Sequence, residues 1–108
     1  MIIEKKENYT LITSDENSFL DFYTTFLKKE KDFNEVHLVL QISNEIKTTK
    51  EEISLFLNNI KKKNSKSFVI VYNNVDIDDL PEDLNIVPTL TEAEDVLEME
   101  AIERELGF

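Results

Sequence analysis

The chain contains no cysteine, one glycine, one histidine and few cations among its 108 residues. Without cysteine there are no disulfides, thiolate nucleophiles or Cys-ligated metals. The only glycine, Gly107, stands next to the end, where average usage of about 7% would supply roughly seven. A glycine-rich loop that brings backbone amides onto phosphates is therefore excluded. The only histidine, His37, cannot build a multi-histidine metal centre. Twelve Lys and Arg stand against 23 Asp and Glu, a formal charge of −11. Binding to phosphate backbones is driven by cationic side chains releasing counterions, so nucleic acid and anionic membrane are poor partners and a basic protein is the better match. The opening Met-Ile-Ile-Glu-Lys-Lys turns charged too soon for a signal peptide, and no apolar run is long enough to span a bilayer. A cytoplasmic location, a single domain over residues 1–108 and no cofactor are expected.

What is present is a set of short strand and helix signals around one apolar run. Ser67 to Asn73 includes Phe68, Val69, Ile70 and Val71 in succession, without the alternation of a half-exposed strand. This predicts the central strand, buried on both sheet faces. Ile2–Lys5 and Tyr9–Thr13 read as a hairpin joined by Lys6, Glu7 and Asn8. Thr13, Ser14, Asp15 and Ser18 offer N-caps for a helix with Phe19, Phe22, Tyr23, Phe26 and Leu27 on one face and Lys28, Lys29 and Lys31 near its end. Val36–Ile42 reads as a strand, with Val36, Leu38, Leu40 and Ile42 on one face and His37, Val39 and Gln41 on the other.

Thr49 and Glu52 have the spacing of a capping box and open a helix carrying Ile53, Phe56, Leu57 and Ile60, with Lys61, Lys62 and Lys63 at its end. A helix of this length between two strands predicts a parallel crossover. An acidic stretch follows, with Asp76, Asp78, Asp79, Glu82 and Asp83 around Pro81. Ile86 and Val87 form a last short strand, and Thr89 with Glu92 caps a final helix bearing Ala93, Val96, Leu97, Met99, Ile102 and Leu106. The fold class is α/β: a mixed sheet of about five strands with helices packed on it. Phe22, Phe26, Phe56 and Ile60 are expected in the core, and Ile102, Leu106 and Phe108 are expected to return to the body or to a second chain. A homodimer through the C-terminal helix follows from the latter.

Three candidate sites have plainer explanations. His37 has no nucleophile beside it and reads as a packed side chain rather than a general base. Asp76-x-Asp78 resembles the opening of a calcium loop, but Pro81 occupies the position that needs glycine and Val87 the position that needs a bidentate Glu, so a solvated acidic turn is the better account. The seven acids between Glu92 and Glu105 read as a solvated face. A phosphorelay receiver would place a phosphate-accepting Asp after its third strand, where Gln41 to Asn44 supply none.

The element order resembles the STAS domain, the fold of bacterial anti-sigma factor antagonists and of the cytosolic tails of sulfate transporters. The resemblance is carried by Leu40-Gln41-Ile42-Ser43, similar to the family's strand ending Leu-Asp-Leu-Ser. The other carrier is Ile86-Val87-Pro88-Thr89-Leu90-Thr91-Glu92-Ala93, which looks like its last strand and the start of its final helix. The family's Asp-Ser-Ser-Gly loop, with its phosphorylated second serine, falls on Thr49, Lys50, Glu51 and Glu52, and none of the four matches. The chain is therefore similar to a divergent STAS-like group. It also resembles short bacterial proteins ending in Leu-Gly-Phe that are labelled ribonuclease Z. That label implies a metallohydrolase with clustered His and Asp ligands, which a chain with one histidine cannot assemble. The STAS resemblance implies a non-enzymatic regulatory module that docks a protein partner through Thr48, Thr49, Lys50, Glu51 and Glu52. The alternative is a small-ligand or nucleotide-binding protein, or an accessory subunit of an RNA-processing enzyme.

Overall fold

The computed structural model describes residues 1–33, 36–43, 45–46, 48–59, 66–73 and 85–107, with the side chains of residues 50 and 56–59 left aside. The expected burial of Phe56 and Ile60, the basic run Lys61 to Lys63, the acidic turn from Asp76 to Asp83 and Phe108 lie outside the described residues.

Strands β1 (Ile2–Lys5) and β2 (Thr10–Thr13) form an antiparallel hairpin, Ile2 opposite Thr13. The link is closed by the Lys6 amide donating to the Tyr9 carbonyl at 2.8 Å. Helix α1 (Phe19–Lys28) and a 3₁₀ turn (Glu30–Phe33) lead to β3 (Leu38–Gln41), then α2 (Lys50–Asn59) and β4 (Phe68–Val71). Strand β5 (Asn85–Val87) and helix α3 (Leu90–Glu105) complete the described elements. The sheet order is β1-β2-β3-β4-β5, with β2, β3, β4 and β5 mutually parallel. The protein is thus α/β with a five-stranded mixed sheet.

The expected central strand, β4, is interior, but the middle of the sheet is β3. Both have their two faces covered, so hydrophobicity marks them as interior without ranking their order. Alternation along the strands divides the core into two layers. On one face Ile12, Leu38, Leu40, Phe68 and Ile70 pack with Phe19, Phe22 and Phe26 of α1 and Ile53 of α2. On the other, Leu11, Val39, Val69 and Val71 pack with Ala93, Val96 and Leu97 of α3. Edge strand β1 is exposed along its length, and its charges, including the ion pair of Glu4 with Lys6 at 2.9 Å, discourage pairing with another edge.

Ser18 is the N-cap of α1, its hydroxyl accepting from the Asp21 amide at 3.1 Å. Phe19, Phe22, Tyr23 and Phe26 are buried as expected, but Leu27, at the margin of that face at about 100° per residue, is exposed. Phe33 from the 3₁₀ turn stacks on Phe26, ring centroids 5.2 Å apart. On α3, Ile102 and Leu106 take no place in the body and with Met99 face outward, because the face of α3 that meets the sheet is made by Ala93, Leu97 and Arg104. Of their two expected places, the body and a second chain, the body is the one set aside. Among the described residues no helix is long and apolar enough to cross a membrane.

Candidate functional site

The parallel strands all end at one edge, and the segments leaving them, Ser14 after β2, Ser43 after β3 and Tyr72 after β4, converge there. Open α/β sheets place their binding loops at this carboxyl edge. The ladder continues past the strands: the Ser14 amide donates to the Gln41 carbonyl at 2.9 Å, Ile42 to Val71 at 3.0 Å and Tyr72 to Val87 at 2.9 Å. The Ser43 amide then donates to the Ser14 hydroxyl at 2.8 Å, and the Ser43 hydroxyl accepts from the Glu45 amide at 3.2 Å. The Ile46 amide donates to the Ser43 carbonyl at 3.0 Å, the Ile46 side chain is buried in the core, and its carbonyl accepts the buried hydroxyl of Tyr72. Ser43 and Ile46 are therefore held by residues that follow the two neighbouring strands, before α2 begins.

The expected docking residues follow directly. The Thr49 hydroxyl accepts from the Glu52 amide at 3.1 Å, and the Glu52 carboxylate accepts from the Thr49 amide at 3.0 Å, a reciprocal capping box. The Thr48 hydroxyl donates to the same Glu52 oxygen at 3.4 Å. Thr48, Thr49 and Glu52 are thus one hydrogen-bonded cap, while Glu51 is exposed in the first turn of α2. The backbone of Lys50 opens the helix and its side chain lies outside the described residues. Asp15 and Glu16 add two acids to this edge, and both accept from the Met1 ammonium, Glu16 at 2.9 Å. The ammonium holds the Asp15 carboxyl below its usual range, and the two carboxylates raise the amine in turn.

The opposite edge, where the parallel strands begin, carries a second cluster. The Ser67 amide donates to Nδ1 of His37 at 2.9 Å, so the neutral ring carries its proton on Nε2. Arg104 reaches down from α3 and donates to the Ser67 hydroxyl at 3.2 Å. Burial, then Arg104, then Lys66 push the His37 pKa down, opposed by Glu100. One carboxylate oxygen of Glu100 is buried and without a hydrogen-bond partner among the described residues. Beside this cluster a cleft of about 490 Å³ runs between Asn8 and Tyr9 of the hairpin, His37, and Leu97 and Arg104 of α3. The Tyr9 hydroxyl donates to Glu94 at 3.1 Å, and burial followed by that carboxylate raises its pKa. Among the described residues His37 orients no hydroxyl or thiol nucleophile, and its basic nitrogen is occupied by a backbone amide, which is a structural role.

Sequence reasoning missed Ser14, Ile46, Tyr72 and the group of His37, Ser67 and Arg104. Ile46 was visible as a lone apolar residue in a polar link, Tyr72 as the next member of the Phe68, Ile70 alternation, and Arg104 as the one cation in an acidic helix. Among the described residues no group of three or more His, Cys, Asp or Glu side chains is arranged to hold a metal ion. No protein-family model, curated protein or solved structure matches this chain.

Proposed function

We propose that the chain is a STAS-like interaction module that docks a basic protein partner, without covalent chemistry, through the carboxyl edge of its sheet. The observation that carries this reading is the anchoring of Ser43 by Ser14 and of Ile46 by Tyr72 just ahead of α2. Thr48 and Thr49 are tied to Glu52 at the start of α2, with Glu51 exposed beside them, and a surface already hydrogen-bonded loses less entropy on binding. The element order, with two strands ahead of alternating helices and strands, is in keeping with the STAS resemblance. Glu51 brings a negative charge to the favourable end of the α2 dipole, where the antagonists of that family carry a phosphorylated serine, so the docking edge is held in a partly phospho-like state. Asp15 and Glu16, which follow β2 at the same carboxyl edge, are acids too, and both are paired with the Met1 ammonium.

The test is quantitative affinity purification from the source cells with the wild-type chain, Glu51→Lys, Glu51→Ser and, as a control on the hairpin turn, Glu7→Lys. The expected result is a stoichiometric protein partner that Glu51→Lys loses and Glu7→Lys retains. Equal recovery by all four chains removes the carboxyl edge as the docking surface. A second reading, binding of a small ligand, has one observation in its favour, the cleft between Tyr9, His37, Leu97 and Arg104. Mass spectrometry of ligands released from natively purified protein checks it: a stoichiometric small molecule retained by wild type and lost on Leu97→Trp supports that reading, and its absence removes it.

A further inference from the structure

Helix α3 carries two apolar stripes, and the sheet uses only one. At about 3.6 residues per turn, Ala93, Leu97, Ala101 and Arg104 share a face. That face meets the body: Ala93 is fully buried, Leu97 packs on the sheet layer and Arg104 donates to Ser67. On the far side Met99, Ile102 and Leu106 recur at i, i+3 and i+7 and are 61%, 49% and 66% exposed. This is the spacing of the seam positions of a heptad, and the residues bordering such a seam set its partner. Glu98 and Glu105 border it on one side and Glu103 on the other, all exposed, and Asp95 ends it. The only cation of the helix, Arg104, is turned to the sheet and engaged there.

A second copy of this helix would bring glutamates against glutamates in either orientation, between chains that each carry a charge of −11. We propose instead that the outer face of α3 docks a basic amphipathic helix of another protein. Its apolar side would rest on Met99, Ile102 and Leu106, with Lys or Arg paired to Glu98, Glu103 and Glu105. The site is on the sheet face opposite α2, and it stands apart from the docking edge proposed above.

The probes are three synthetic helices of about three heptads, measured by fluorescence anisotropy against the full chain in about 0.15 M salt. One has Leu at the seam and Lys at the flanks, one Leu at the seam and Glu at the flanks, and one Ser at the seam and Lys at the flanks. The Leu/Lys helix is expected to bind, and the others to bind at least about tenfold more weakly. Ile102→Ser/Leu106→Ser should lose at least about tenfold for the Leu/Lys helix, with an unchanged circular dichroism spectrum because both positions are exposed. Glu98→Lys/Glu105→Lys should transfer preference to the Leu/Glu helix. No binding by the Leu/Lys helix, equal binding by the Ser/Lys helix, or undiminished binding by the serine variant would overturn the proposal. Sedimentation showing a wild-type dimer that the serine variant dissociates would also overturn it, because the occupant would then be a second copy.

Discussion

The imidazole of His37 accepts the amide of Ser67 at 2.9 Å, replacing a ladder bond at the start of β4 with a side chain from the start of β3. The neighbouring Leu38 amide donates to the Ser67 carbonyl at 2.9 Å, so the entry to the two interior strands is tied in part by a group that can titrate. Protonation on Nδ1 would break the side-chain bond.

His37 therefore makes stability depend on pH in a stated direction. Its folded pKa lies below the ordinary 6.5, so the unfolded chain takes up the proton first. Its contribution is complete above pH 6.5 and is lost as pH falls from there through the folded value. His37→Asn keeps an acceptor near the Nδ1 position and removes the titration. The expected outcome is a urea midpoint that falls between pH 7 and 5 in wild type and falls less in His37→Asn. His37→Ala should cost about 1–3 kcal/mol at pH 7, because the buried Ser67 amide is left unpaired.

Thr49 caps α2 through its hydroxyl, so Thr49→Ala should destabilise the chain by about 1 kcal/mol in chemical denaturation. Thr49→Ser and Thr49→Asp keep an acceptor oxygen at the cap and should recover most of that loss. If alanine and serine behave alike, the cap geometry contributes nothing measurable.

Phe22 is fully buried between α1 and the sheet. Phe22→Ala should cost about 3–5 kcal/mol, and Leu27→Ala, at an exposed position of the same helix, much less. Equilibrium urea unfolding of the two variants checks the contrast.

Tyr72 holds the link that leads into α2 by donating to the Ile46 carbonyl. Tyr72→Phe keeps the ring and leaves a buried acceptor unpaired, so it should cost about 1–3 kcal/mol. It should also raise hydrogen exchange at Ser43 to Ile46 above that of β3. Unchanged exchange there would show that the Ser14 contact alone orders the link.

The residue pattern by itself determined the strands, the helices, the caps of α2 and α3 and the two-sided burial of β4. Those properties are local: they depend on period 2 against period 3.6, on Thr49 and Thr89 preceding apolar faces, and on β-branched runs. The structure selected Ser18 among the four N-cap candidates of α1 and covered the second face of β3 as well. Tertiary structure alone decided which strand lies in the middle of the sheet, since hydrophobicity is equal for any fully covered strand. It also decided that Leu27 stays outside and Phe33 joins the core, the latter from a 3₁₀ turn with no periodicity to announce it. In the same way α3 has apolar residues on two sides, and only docking on β4 and β5 selects Ala93 and Leu97 for the core and leaves Met99, Ile102 and Leu106 outside. The clusters at the two sheet edges join residues about thirty positions apart, His37 with Ser67 and Ser14 with Ser43. Parallel crossovers bring such residues together, and no spacing rule along the chain encodes that proximity.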